Sequence, residues 1–150
     1  MRERRLVDTN LIVRHLVQDN KEHAKVAARL FEACDRGEVT LVVLPEVLAE
    51  SVFVLESFYK KTRADIGEAL GDLVGSPGIE LTELTIHLDA LERYRNGKMH
   101  FVDCVVAATA VRQSLSVATF DAGFKKLPNV TVDVETSVSA GGSRAGRSDS

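Results

Sequence analysis

Residues 5–10, with the sequence RLVDTN, form a short apolar run that ends at an acid. The run is typical of a buried strand, and residues 10–17 then follow a helical pattern. Asp8 therefore lies where a strand ends and a helix begins. In an open parallel α/β sheet, ligands bind outside the carboxyl ends of the strands. We expect the rest of the chain to be organised around this edge.

Strand and helix patterns alternate along most of the chain. Strands are predicted at 4–7, 40–44, 79–81, 116–119 and 129–134, and helices at 10–17, 21–36, 45–59, 62–74, 85–95, 102–115 and 122–127. Such alternation is typical of a three-layer α/β/α fold, with a central parallel sheet between helices. We expect one domain over residues 1–136. Residues 137–150 are dominated by Ser, Gly, Ala and Arg, so we expect a disordered polar tail.

The composition is that of a soluble globular domain. The 150 residues are 45% hydrophobic and 27% charged, and their length allows one sizeable core. No apolar run approaches the roughly 18–20 residues that a membrane span requires. We expect no secretory signal, and Cys34 and Cys104 form no disulfide or metal-spacing pattern. A reducing cytoplasm is therefore the expected location.

The net charge of −3 does not by itself suggest a nucleic-acid-binding protein. That count, however, includes any acids that hold metal, and bound cations reverse the local sign of the charge. Basic residues cluster in four short stretches, at 2–5, 60–63, 93–98 and 125–126. Each stretch is interpreted as a solvated face, with phosphate contact as the alternative.

Four acids occupy comparable places in the predicted fold, and each has a simpler interpretation. Asp8 and Asp121 each follow a predicted strand, where Asp is also a good helix cap. Glu50 lies on the border between the polar and apolar sides of its predicted helix. Asp103 begins a helix, where the helix dipole favours an acid. No single acid is decisive, but all four fall where such a sheet places ligands.

A group of carboxylates predicts a divalent-metal site. Clustered carboxylates repel one another unless cations lie between them. Hard oxygen ligands favour Mg²⁺ or Mn²⁺, which can activate water and stabilise an in-line displacement at phosphorus. The four histidines are scattered, and the sequence has no Gly-rich phosphate loop. We therefore interpret the histidines as structural or surface residues.

Four short motifs resemble those of PIN-domain ribonucleases. They are residues 7–10 (VDTN), 45–50 (PEVLAE), 101–108 (FVDCVVAA) and 118–121 (ATFD). The resemblance extends over about residues 4–134 and is greatest to VapC-type toxins of bacterial toxin–antitoxin pairs. It implies a PIN-like fold whose first strand is central in the parallel sheet.

The resemblance also implies an activity and a site. The family's catalytic, metal-binding acids correspond to Asp8, Glu50, Asp103 and Asp121, with Thr119 and Asn10 in support. It implies a metal-dependent endoribonuclease that hydrolyses RNA phosphodiester bonds with a metal-activated water, using Mg²⁺ or Mn²⁺. It further implies a homodimer and a small cognate antitoxin protein.

One departure from the family pattern adjoins the predicted site. Cys104 stands where the family commonly has Ala, directly after Asp103. A thiol next to a metal ligand can alter how the metal is held.

Two alternatives remain at the level of sequence. A response-regulator receiver domain is also α/β with acids at strand ends. It would need an acidic pair after the first strand and a Lys after the last, and neither is present. A PIN-like protein that binds RNA or a partner without cutting is the other alternative. The presence of all four acids disfavours it.

Overall fold

A parallel three-stranded sheet lies at the centre of the amino-terminal part of the chain. The computed structural model describes residues 2–133. The strands are β1 (Glu3–Leu6), β2 (Val39–Val43) and β3 (Ile79–Leu81), in the order β1-β2-β3. Leu6 is paired with Val42, and Val43 with Leu81, so the sheet is parallel throughout.

Residues 2–133 contain six α-helices. They are α1 (Thr9–Val17), α2 (Lys21–Asp35), α3 (Pro45–Ser57), α4 (Arg63–Val74), α5 (Leu84–Asn96) and α6 (Phe101–Gln113). Local chemistry sets several of their starts. Asn20 and Thr62 accept hydrogen bonds from backbone amides of α2 and α4, and Pro45 occupies the first turn of α3. The predicted α/β class, a parallel sheet flanked by helices, is confirmed.

The strand β2 is the buried centre of this sheet. Leu41 and Val43 are fully covered, as the continuous apolar run predicts for a strand flanked on both sides. Fully buried side chains from the helices complete the core, among them Ile12, Leu48 and Leu70.

Two expectations about the first strand are wrong. All four residues of β1 are exposed, and Leu6 is 68% exposed, so this is not a buried strand. Among residues 2–133 it is also not central, because β1 lies at one end of the strand order and pairs there with β2 alone. A strand paired along one edge leaves its side chains less covered than a central strand does. Of the predicted strand residues 4–7, Val7 alone is buried; it follows β1 directly, and its amide donates to Val42 O at 3.1 Å.

The chain divides into two compact units, of which the first ends at Cys104 and the second begins at Val105. In the second unit, the strands predicted at 116–119 and 129–134 are reduced to one parallel bridge between Val117 and Val132. Shortly after Val117, the Asp121 amide donates to Thr119 Oγ1 and closes a turn. Shortly before Val132, Asn129 adopts a left-handed backbone conformation. A short 3-10 helix covers Ala122–Lys126.

Two expectations concern the chain as a whole. Within residues 2–133, no helix is long and apolar enough to cross a membrane. The predicted tail, residues 137–150, lies outside the described residues.

Candidate metal centre

Asp8 stands at the carboxyl end of β1 and caps α1. Its backbone is extended, and its Oδ1 accepts from Leu11 N at 3.0 Å. The capping interpretation is therefore confirmed. Capping uses one carboxylate oxygen, so it is compatible with a ligand role for the other. The side chain is exposed.

Thr9 connects the first and second motifs. Its hydroxyl donates to Glu50 Oε1 at 2.8 Å, although 41 residues separate the two along the chain. This bond joins the start of α1 to the middle of α3. It places Glu50, an exposed side chain, beside the residue that follows Asp8.

A groove of about 480 Å³ adjoins this contact. Thr9, Asn10, Glu50, Phe53 and Phe58 are among the residues that line it. Asn10 also lines a smaller cavity, of about 230 Å³, together with Asp8. Asn10 thus contributes to the surface next to Asp8 and to the surface next to Glu50.

Asp103 lies in the first turn of α6 and is half-buried. Among residues 2–133, no side chain or amide donates a hydrogen bond to its carboxylate, and no cation pairs with it. Removing a carboxylate from water without a partner is costly. The carboxylate of Asp103 is thus free to accept a ligand, and the ligand role of Asp103 stays a prediction.

Cys104, next to Asp103, is turned into the core. Its side chain is 3% exposed, and Sγ lies 3.9 Å from Met99 O. Burial raises the pKa of the Cys104 thiol to about 11, and the nearby Arg63 charge only partly opposes this rise. The thiol is directed at the core and at the Met99 carbonyl.

Thr119 and Asp121 form a small hydrogen-bonded turn in the second unit. Asp121 N donates to Thr119 Oγ1 at 3.0 Å, and Asp121 Oδ1 accepts from Gly123 N at 2.8 Å. Asp121 therefore caps the 3-10 helix, as its simpler interpretation predicted. Its carboxylate is exposed.

The structure joins only part of the predicted acidic site. Across residues 2–133, no three His, Cys, Asp or Glu side chains lie together as a metal site requires. Within the first unit, the Thr9–Glu50 bond links the first two motifs. The donor types, carboxylates with a neighbouring amide, fit Mg²⁺ or Mn²⁺. A complete ligand set remains a prediction.

Two residues were not singled out from sequence. Thr9 belongs to the first motif without a role of its own, and Arg63 is one member of the basic stretch at 60–63. The position of Thr9, directly after a candidate ligand, was the one available signal. The sequence carries no local signal for Arg63, whose contacts are made by tertiary packing.

Comparison with known proteins agrees with the motifs. The family model described as PIN domain matches residues 5–130, so the chain belongs to the PIN domain family. The expected family is thereby confirmed, and the receiver-domain alternative is not supported.

One similar protein is a named member of the VapC group. The VapC ribonuclease of Aquifex aeolicus (strain VF5) is 27% identical over 130 residues, which cover 86% of this chain and 96% of the relative. A solved structure of VapBC2 from Rickettsia felis, bound to a DNA fragment from their promoter, is 16% identical. It covers 88% of this chain and 98% of that chain, with a TM-score of 0.37, and this likeness adds no support for the arrangement of the site.

Proposed function

We propose that this protein is a metal-dependent endoribonuclease and the toxin of a toxin–antitoxin pair. The observation that carries the proposal is the family match over residues 5–130, within which all four motif acids are present. The relative named as a VapC ribonuclease supports the same activity. In the structure, the Thr9–Glu50 bond joins the first two motifs.

The proposed site consists of Asp8, Glu50, Asp103 and Asp121, which would hold Mg²⁺ or Mn²⁺. When bound, such an ion supplies Lewis acidity that activates water and stabilises charge at the phosphodiester. Asp8 and Asp121 each use one oxygen to cap a helix and keep the other for a ligand.

The remaining roles belong to neighbouring side chains. The Thr9 hydroxyl restricts the Glu50 carboxylate to one orientation. Thr119 fixes the backbone at Asp121, and Asn10 supplies an amide at the surface shared by the two cavities.

The proposed partners follow from the resemblance. They are an RNA substrate, a small cognate antitoxin that inhibits the enzyme, and a second copy of this chain. The proposed location is the cytoplasm. The competing function is RNA binding without cleavage. That function does not require the four acids, so their presence disfavours it.

The first prediction tests the activity through Asp103. Purified protein should cleave RNA with Mg²⁺ or Mn²⁺ and stop when the metal is chelated. Asp103→Asn keeps the size of the side chain but removes the charge of a proposed ligand. We expect a folded variant with at least a hundredfold loss of cleavage, on the order of what metal-site residues contribute. Cleavage of labelled RNA, followed by gel, measures it.

A matched control separates a ligand from a helix-dipole effect. Asp65 also lies in the first turn of a helix, α4, and is exposed. Asp65→Asn removes the same charge from the same helical position, at a cost of at most about 1 kcal/mol of stability. It should cleave RNA as the wild type does. If the two variants cleave RNA equally well, the helix-dipole interpretation of Asp103 is favoured over the proposed ligand role. A wild type that shows no metal-dependent cleavage would favour the non-cleaving function.

A further inference from the structure

The segment that leads into Asp103 is held by one guanidinium group. Residues 97–100 join α5 to α6, and Asp103 follows three residues later. Arg63, the first residue of α4, donates from Nη1 to Tyr94 O at 2.8 Å and from Nη2 to Lys98 O at 3.0 Å. One side chain therefore binds both the last turn of α5 and the connecting loop.

Tyr94 extends this contact to the start of α6. Its side chain is fully buried, and the Arg63 guanidinium lies 4.3 Å from its ring centroid. The ring also packs edge-on against Phe101, the first residue of α6, with centroids 6.1 Å apart. Arg63 thus reaches the first turn of α6 by two routes, through the loop and through the edge-on contact of the Tyr94 and Phe101 rings.

The Tyr94 ring is itself held in place from α3. Its hydroxyl donates to Glu56 Oε1 at 2.5 Å. Burial and this hydrogen bond raise the pKa of Tyr94, so the hydroxyl keeps its proton. The ring is therefore anchored at its hydroxyl by α3 as well as at its face by Arg63.

The contacts of Arg63 are specific to arginine. Of the residues described, no Asp or Glu pairs with it, so both donors are directed at backbone carbonyls. Carbonyls in the last turn of a helix lack intrahelical partners, which makes Tyr94 O and its neighbours good acceptors. A lysine carries its three donors on one nitrogen and lacks the planar fork that directs Nη1 at Tyr94 O and Nη2 at Lys98 O.

We propose that Arg63 is a positioning residue for Asp103. It acts through the loop at 97–100 and through Tyr94 and Phe101, and it fixes where the Asp103 carboxylate points. This inference rests on the proposed function, since it takes Asp103 as a metal ligand. Displacement of a reacting group by about 1 Å can cost a hundredfold in rate, so such a clamp is consequential.

The test uses Arg63→Lys and two readouts. One is Mn²⁺ affinity, measured by loss of the free-ion electron paramagnetic resonance signal. The other is RNA cleavage, with kcat and KM determined separately. We expect Mn²⁺ affinity and kcat to fall about tenfold to a hundredfold, as for residues that orient metal ligands, with KM for RNA unchanged.

A surface arginine provides the matched control. Arg36 forms an exposed ion pair with Glu38, at 2.8 Å, and Arg36→Lys makes the same chemical change there. It should leave Mn²⁺ affinity and kcat unchanged. If Arg63→Lys fails to fold, Tyr94→Phe is the variant that tests the positioning role. It keeps the ring contacts with Arg63 and Phe101 and removes only the hydrogen bond to Glu56. Its Mn²⁺ affinity and kcat should fall in the same direction, by less.

The outcomes are separable. A wild type that binds Mn²⁺ and cleaves RNA, with a folded Arg63→Lys that does both equally well, would overturn the positioning role. A lower melting temperature of Arg63→Lys and Tyr94→Phe, with Mn²⁺ affinity unchanged, would also overturn it. A wild type that neither binds Mn²⁺ nor cleaves RNA would overturn the proposed function, and this inference with it.

Discussion

At the scale of single residues, the most informative contact is the hydroxyl of Thr9 on the Glu50 carboxylate. The bond is short, at 2.8 Å, and connects two motifs distant in sequence. A carboxylate that accepts one defined hydrogen bond loses rotational freedom, which is what a ligand or a water-orienting acid requires. The Thr9 hydroxyl is thus more than part of a helix start.

The second prediction concerns this hydroxyl. Thr9→Val replaces it with a methyl group of similar size, so the packing of α1 is preserved. We expect RNA cleavage to fall by roughly tenfold to a hundredfold, as for groups that orient a site acid. The free energy of unfolding should fall by only about 0.5–1.5 kcal/mol, the usual worth of one hydrogen bond. Denaturation and cleavage assays measure the two effects.

Thr85 offers the control for that change. It is an exposed residue in the first turn of α5, and Thr85→Val should leave cleavage unchanged. A Thr9→Val protein with full activity would show that the Glu50 orientation does not depend on this bond.

At the scale of elements, the packing of α4 on α5 supports the Arg63 clamp. A Cβ added at Gly67 would lie 2.9 Å from Arg95 Cβ and 3.3 Å from Leu91 O. Gly67 therefore allows the two helices to approach closely. At Gly71, one turn further along α4, no described atom would lie within 4 Å of an added Cβ.

The third prediction compares these two glycines. Gly71→Ala should raise the free energy of unfolding by up to about 1 kcal/mol, since Ala is the better helix former. Gly67→Ala makes the same helical gain but forces α4 from α5, and overpacking costs about 1–3 kcal/mol. We expect a net loss of stability, measured by urea denaturation. Equal stabilisation by both substitutions would mean that α4 and α5 can separate without cost.

At the scale of the whole molecule, exposed ion pairs make stability depend on acid. The hydrogen bonds from Tyr59 and Arg14 hold the pKa of Asp19 below its usual value, and Arg4 does the same for Glu80. A carboxyl with a lowered pKa in the folded state stabilises the fold above its unfolded pKa. That stabilisation is lost as the pH falls through the folded value.

The fourth prediction follows from that sign. The contribution of these carboxyls to stability in urea should decrease below about pH 4.5, near their ordinary values. Asp19→Asn should reduce the acid dependence, because it removes one of the titrating groups. The decrease should be modest, since exposed pairs are weak and screened by salt. A stability that rises toward pH 3 would contradict these assignments.

The sequence by itself determined the family, the α/β class and most helix starts. The caps at Asp8, Asn20 and Thr62 follow from sequence because a cap bonds an amide only two or three residues away. The buried course of β2 also follows, because a continuous apolar run has no polar side to expose.

Tertiary structure decided which distant groups meet. The exposed edge position of β1 depends on which strands pair with it, and its own residues do not record that. The Thr9–Glu50 bond and the forked contact of Arg63 join residues 31 to 41 positions apart. Such contacts depend on how whole helices pack, and no local pattern of residue types predicts them. The four motif acids are recognisable from local sequence, whereas the contacts of Thr9 and Arg63 are not; a shared site for the acids stays a prediction.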